Sequence, residues 1–305
     1  MKSGSGIINK LGASVQAGPR VYSGAGAGHT SAMSTQRILI TGASSGLGQA
    51  LALEHAAQGH ALVLLARRKA KLAQVAKACL AAGATQALCV AADVTRPAAL
   101  RRAAALAQKK LGGLDVAYAN AGYSQAGALA TMPLASWRRQ MQVNVEGVLH
   151  TVQACLPLLA QSRGRLGIVG SVVSYGSLSA SGAYAASKGA VRSLAQVLAL
   201  EADPDGVSVT YIAPGFFGSE IRLKDADGNP KPQAREYMPA WLLGDAAALA
   251  RRTRCAVQAR RRELVWPLHA KLAVFMLRHA PGLSQAVLGR LSAARLKRRQ
   301  ALQGR

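Results

Sequence analysis

Acidic residues are scarce in this chain. Its 305 residues include 13 Asp and Glu against 38 Lys and Arg, a formal net charge of +25 at pH 7. Aromatic residues make up only 4% although half of the residues are hydrophobic. The core must therefore come mainly from Ala, Leu and Val, whose small side chains let helices pack closely on strands. The four cysteines (Cys79, Cys89, Cys155 and Cys255) are scattered, with no C-x-x-C pair. That pattern excludes a disulfide framework and a zinc ribbon, and it reads as reduced thiols of an intracellular protein. His29, His55, His60, His150, His269 and His279 form no ligand-spaced cluster, so no metal site is expected. No apolar run approaches the roughly 20 residues of a membrane span, and no apolar signal region precedes the first strand.

What is abundant is positive charge. Between Trp241 and Arg305 fourteen Lys and Arg face only Asp245 and Glu263. Such a charge attracts anionic polymers or surfaces, so nucleic acid and the acidic face of a membrane are both candidates. A solvated basic surface is the plainer reading.

Residues 1–36 are rich in Gly, Ser and Ala, contain no acid and show no hydrophobic period. They are expected to form a disordered tail or to precede a start at Met33. From Arg37 short apolar runs alternate with helical patterns: "RILI", "ALVLLA", "QALCV", "LDVAYA", "RLGIVG", "VSVTYIA" and "ELVWP". This alternation predicts an α/β fold, a single doubly wound Rossmann-type domain over residues 37–267 with a parallel sheet of about seven strands. Residues 268–305 are expected to form a basic helical extension broken at Pro281. Its Leu272, Phe275, Met276, Leu283, Val287, Leu288 and Leu291 recur at helical spacing, which suits packing on the domain or lying flat on a membrane.

The stretch "ILITGASSGLGQALALEHA" places Gly42, Gly46 and Gly48 after a strand and at the opening of a helix. Glycine there lets the backbone approach a pyrophosphate, and the helix N-terminus favours its charge. An NAD site usually carries an acid at the end of the second strand, yet none occurs between Glu54 and Asp93. "LLARRK" supplies Arg67 and Arg68 instead. Guanidinium groups suit a 2′-phosphate, so NADP(H) is the expected cofactor, with Arg67 the principal contact. Further on, Tyr184 precedes Lys188 by four residues in "SGAYAASKGA". The two share a helix face, and an ammonium beside a phenol favours its ionisation.

These motifs resemble the short-chain dehydrogenase/reductase family, in its Tyr-x-x-x-Lys group, from about Arg37 to Pro267. "TGASSGLG" is similar to its cofactor loop, implying contacts from Gly42, Ser44, Ser45, Gly46, Leu47 and Gly48. "ADV" resembles its adenine segment (Asp93, Val94), and "ANAG" its fourth-strand motif (Asn120, Ala121, Gly122). "APGFFGSE" resembles the segment that holds the nicotinamide (Pro214, Gly215, Ser219). Ala119 and Ser219 depart from the usual Asn and Thr. The resemblance implies a catalytic set of Asn144, Ser171, Tyr184 and Lys188. In it Tyr184 exchanges a proton with a carbonyl or alcohol oxygen that Ser171 also binds. Lys188 holds the ribose as well, and Asn144 supports a water relay. The implied activity is NADP(H)-dependent oxidation or reduction of a small-molecule ketone or secondary alcohol.

Substrate selection is expected in the long segment after Gly215, where Phe216, Phe217, Tyr237, Met238 and Trp241 concentrate. An apolar lid and an ordinary surface loop both fit. The tail is loosely similar to those of membrane-associated members such as 3-ketosphinganine reductases, which implies a lipid-like substrate and a cytoplasmic protein attached peripherally to an anionic membrane face. The family also implies a homodimer through helices around residues 136–162 and 184–202. A second class of function stays open, a non-catalytic nucleotide-sensing or nucleic-acid-binding module. No base-stacking aromatic array supports nucleic acid.

Overall fold

Period-two burial decides how the strands face. In the computed structural model, which describes residues 35–125, 127–176, 179–216 and 243–290, Ile38 and Ile40 of strand β1 (Arg37–Thr41) point into one apolar cluster and Leu39 into another. Strand β2 (Ala61–Ala66) does the same, with Leu62 and Leu64 on one side and Val63 and Leu65 on the other. Both strands are buried on both faces, as helix-covered parallel strands must be. Strands β3 (Gln86–Ala91), β4 (Val116–Ala119), β5 (Arg165–Val169), β6 (Ser208–Pro214) and β7 (Glu263–Trp266) complete the sheet. Its order is β3-β2-β1-β4-β5-β6-β7 and every pairing is parallel. The seven expected strands are all present. At the β3 edge, Gln86, Val90's neighbours Cys89 and Ala91 included, the strand is part-exposed, in keeping with its outermost place.

Helices α1 (Gly46–Ala56), α2 (Lys69–Ala81) and α7 (Ala246–Gln258) cover one face, through Leu47, Leu51, Leu72, Val75, Leu249 and Val257. Helices α3 (Pro97–Leu111), α5 (Gly147–Ser162) and α6 (Gly182–Glu201) cover the other, through Leu100, Val152, Leu159, Val191 and Leu198. Each fully buried Leu or Val contributes about 1.5–3 kcal/mol of transfer free energy. Because the order reverses between β1 and β4, a crevice opens beyond their carboxyl ends, where ligands bind in doubly wound sheets.

The helix expected around residues 136–162 is present, but it is longer and more apolar than the absence of a membrane-length run led one to expect. Helix α4 (Leu134–Met141), a π-helical turn at Gln142–Glu146 and α5 run on as one helix, Leu134–Ser162, of 29 residues. A window of mean hydropathy 1.2 gives this run the length and composition of a membrane span. Charged Arg138, Arg139 and Glu146 interrupt its apolar pattern, and it packs against α3, α6, β4 and β5 as a wall of the core. Helix α8 (Leu268–His279) follows β7, and residues 281–290 are helical beyond a break at Ala280.

Candidate active site

Strand β1 ends in Thr41, whose hydroxyl fastens the switch point. It donates to the Tyr118 carbonyl at 3.1 Å and accepts from the backbone N–H groups of Asn120 (3.0 Å) and Ala121 (3.1 Å). The Asn120 amide donates to the Thr41 carbonyl at 2.8 Å. Gly42 follows at φ +68°, and a Cβ there would stand 2.9 Å from the Ala121 Cα. A Cβ on Gly48 would lie 2.3 Å from the Gly42 carbonyl oxygen. The glycines thus let loop, helix and fourth strand close on one another without side chains between. The α1 N-terminus has no side-chain cap from Ser45 and no acid in its first turn.

At the end of β2 the two arginines, of which Arg67 was expected as the principal cofactor contact, differ in placement. Arg68 is the one turned toward the loop: its guanidinium reaches the Ser44 hydroxyl at 3.1 Å and the Ser45 hydroxyl at 2.6 Å. Arg67 is exposed. Alternation explains the difference, since successive residues leaving a strand point to opposite faces. Asp93 caps its own turn by accepting from the Thr95 N–H at 2.9 Å and pairs with Arg139 at 2.8 Å. Burial works against its ionisation, but these bonds outweigh it and hold the carboxyl below the usual range. Val94 presses on Gly147, where a Cβ would meet its Cγ2 at 2.7 Å.

Of the expected catalytic set, Asn144 is tied to helix α6, which carries Tyr184 and Lys188. Asn144 lies in the π-helical turn and is fully buried. Its Oδ1 accepts from the Tyr123 N–H at 3.0 Å, while its Nδ2 donates to the Tyr123 carbonyl and the Ser187 hydroxyl, both at 3.0 Å. Both amide hydrogens are therefore engaged, so a water relay through this side chain has only the second lone pair of Oδ1 to use. Ser187 donates on to the Tyr184 carbonyl at 2.8 Å. Lys188 is 3% exposed, and its Nζ donates to the Val169 carbonyl at 2.8 Å, two residues before Ser171. Burial pushes the ammonium down to about 8. Nζ stands 5.9 Å from the Tyr184 ring centroid. A Cβ on Gly122 would stand 3.5 Å from it and 3.1 Å from the Asn144 Oδ1. Ser171 opens a 3₁₀ turn at Val172–Ser174, its hydroxyl accepting from the Val173 N–H at 3.3 Å.

Pro214 ends β6, and the Gly215 N–H donates to the Trp266 carbonyl at 2.7 Å. Ser219 lies outside the described residues, as do Phe217, Tyr237, Met238 and Trp241. Three contributors escaped the sequence reading. Thr41 was visible as the first letter of the glycine motif but carried no assigned task. Ser187 sits unmarked inside "YAASK". Tyr211, whose hydroxyl accepts from the Ser171 N–H at 3.3 Å, has no local signal at all.

Taken together, a glycine-lined turn that excludes Cβ atoms, an adjacent guanidinium and a buried ammonium fit a nicotinamide dinucleotide bound across the crevice. Similarity to known proteins agrees. A family model described as "short chain dehydrogenase" matches residues 36–229. The 11-beta-hydroxysteroid dehydrogenase A of Sesamum indicum is 34% identical over 185 residues, 60% of this chain and 53% of that one. The chain thus spans about half of the sesame protein's length. An uncharacterised oxidoreductase of Staphylococcus aureus is 35% identical over 184 residues, 78% of its length. Among solved structures, an alcohol dehydrogenase of Thermococcus sibiricus complexed with 5-hydroxy-NADP has a TM-score of 0.68 at 25% identity, covering 76% of this chain and 96% of that one. A short-chain dehydrogenase/reductase of Burkholderia phymatum in complex with NAD has a TM-score of 0.72 at 26% identity, covering 82% and 95%. The chain belongs to the short-chain dehydrogenase/reductase family of oxidoreductases.

Proposed function

We propose that this protein is an NADP(H)-dependent oxidoreductase acting on the carbonyl or secondary alcohol of an apolar, lipid-like substrate. The observation that carries the chemistry is the buried Lys188 ammonium beside the Tyr184 ring. The bound nicotinamide would supply or accept the hydride. Tyr184 gives its phenolic proton to the substrate oxygen during reduction and takes it back during oxidation. A free phenol titrates near 10, too high for efficient exchange at neutral pH, and the positive charge of Lys188 favours the phenolate. Although burial lowers Lys188 to about 8, it still carries its proton at neutral pH. Asn144 and Ser187 fix the helix turn that presents Tyr184. Ser171 donates its hydroxyl to the same substrate oxygen.

Cofactor choice rests on Arg68. Its guanidinium, already at the Ser44 and Ser45 hydroxyls, stands where a 2′-phosphate would replace them as partners, with Arg67 beside it. The solved relatives include complexes with both an NADP derivative and NAD, and the arginine is what supports NADP(H) for this chain. Asp93, Val94, Asn120, Ala121, Gly122, Pro214, Gly215 and Ser219 would complete the cofactor contacts. For the substrate, the sesame relative bears the name of a hydroxysteroid dehydrogenase, and a steroid is a bulky apolar alcohol. A homodimer is supported by the apolar side chains that α6 leaves open, Val197 and Leu200, the latter 64% exposed.

The test is a spectrophotometric NADPH assay across short, steroid-like and long-chain ketones, with Tyr184→Phe as control. We expect turnover with an apolar ketone and none in the variant, with NADPH affinity retained. Full activity of Tyr184→Phe, or salt-dependent RNA binding without any NADPH oxidation, would overturn the proposal.

A further inference from the structure

The outer face of α8 is apolar and open. Leu268 is 78% exposed, Leu272 63% and Phe275 56%, and one helical turn separates each from the next. The inner face is committed to the domain. Ala270 and Val274 are buried, and Leu277 fills the space a side chain on Gly176 would need. In the helical residues 281–290, Leu283 is 59% and Val287 47% exposed. Helices on a protein surface normally turn polar residues outward, so five open apolar side chains on two successive helices call for a covering partner.

The charge of the same segment identifies that partner. From Leu268 to the end of the chain there are eight Lys and Arg and no acidic residue. Lys271 borders the apolar face of α8 on one side together with Arg278, whose guanidinium is paired with Glu263 at 2.9 Å; with His279, Val265, Val274 and Phe275 they line a hollow of about 270 Å³. A second copy of the chain would bring an equally positive segment against this one. A nucleic acid would meet the cations but leave the leucines and Phe275 in water. An anionic bilayer satisfies both, with headgroup phosphates against the cations and acyl chains against the apolar side chains.

We propose that α8 and the helical residues 281–290 dock this protein on an anionic membrane surface through Leu268, Leu272, Phe275, Leu283 and Val287. Docking does not depend on the redox reaction. It does place the crevice beside the bilayer, because Ala270 of α8 packs at Gly215 and Leu277 at Gly176, the segments that follow β6 and the Ser171 turn.

Co-sedimentation of the full chain with vesicles at about 0.15 M salt, where exposed charges are screened beyond about 8 Å, provides the test. Vesicles of equimolar phosphatidylglycerol and phosphatidylcholine should bind the protein at least about tenfold more tightly than phosphatidylcholine alone. Leu272→Glu combined with Phe275→Glu should lose about tenfold or more of that affinity while binding NADPH within about twofold of the parent. Should that variant misfold, Lys271→Glu with Arg290→Glu keeps the apolar face and should remove the preference for phosphatidylglycerol. Tyr184→Phe should bind vesicles like the parent, which separates this result from any failure of the proposed reaction. The proposal is overturned if the parent does not sediment with anionic vesicles or if the Glu variant binds them equally well. It is also overturned if the parent is a dimer that the Glu variant makes monomeric without any vesicle binding.

Discussion

The Tyr211 phenol holds Ser171 by its backbone. It accepts from the Ser171 N–H at 3.3 Å and donates to the Ser174 hydroxyl at 2.8 Å, which donates in turn to the Ser171 carbonyl at 2.7 Å. Gly170 makes room for it, since any Cβ there would stand 2.0 Å from the phenol oxygen. Behind Tyr211 lies Tyr175, edge-on at 6.5 Å between ring centroids. Its hydroxyl donates to Glu263, and its ring lies between the guanidinium groups of Arg192 (4.2 Å) and Arg278 (4.8 Å). A chain of polar contacts thus runs from α8 through β7 to the turn that carries Ser171.

Tyr211→Phe should therefore act on turnover and leave binding alone. Losing one such bond is worth about 1–1.5 kcal/mol, or about tenfold in rate if all of it is felt in the transition state. We expect kcat to fall by about tenfold while NADPH affinity stays unchanged. If the effect travels through Ser171, adding Tyr211→Phe to Ser171→Ala should cost nothing further. Additive losses in that pair would show Tyr211 to be structural only.

Gly48→Ala tests the crowding at the cofactor turn. Its Cβ would need space 2.3 Å from the Gly42 carbonyl, a backbone atom that cannot swing aside. The helix has to shift, which should weaken NADPH binding by about tenfold or more and lower the melting temperature. Fluorescence titration and a thermal melt read the two effects. Unchanged affinity would mean that the close approach of loop and helix has no part in binding.

Arg68→Glu probes cofactor selection. A charge-assisted bond to phosphate is worth about 1.5–3 kcal/mol, roughly 10- to 100-fold in affinity. The ratio of kcat/KM for NADPH over NADH should fall by that factor or more in the variant. Arg67→Glu, changing an exposed side chain, should shift it less. A larger effect from Arg67 would bear out the order expected from the sequence.

The arginine pair also shows what was legible in the chain. The sheet could be read because "ALVLLA" and its counterparts are apolar along their whole length, and only a strand covered on both faces needs that. The glycine turn and the Tyr184–Lys188 pair were legible because the constraints act within one turn of helix or one loop. Which arginine faces the loop depends on where β2 stops alternating, a difference of a single residue. Tyr211 is a β6 residue whose partners lie 37–40 positions away. Asn144 was placed, but its locked amide follows from the π-helical turn and from Ser187, 43 residues on. The helix over residues 136–162 was foreseen by resemblance, but nothing local marked its π-helical turn at Gln142–Glu146. Contacts that join distant segments leave no local pattern to find.

His55 should make the fold acid-sensitive. Its Nε2 shares a hydrogen with the Tyr118 hydroxyl at 2.9 Å, its Nδ1 has no hydrogen-bond partner among the described residues, and it is fully buried. Burial, together with the nearby positive charges of His60 and Arg254, drives it down to about 3. An unfolded chain protonates this imidazole near 6.5. Between about 3 and 6.5 the unfolded state therefore binds the extra proton, and stability is lost as pH falls through that window. The slope attributable to one such group approaches about 1.4 kcal/mol per pH unit. His60 is lowered as well, chiefly by burial, and acts in the same direction. His55→Gln keeps a polar group for Tyr118 but cannot titrate. Its urea-unfolding free energy, followed from pH 6.5 down to 4, should decline less steeply than that of the parent. Two parallel curves would mean that His55 takes up its proton without unfolding, so that the space around its Nδ1 admits water or an anion.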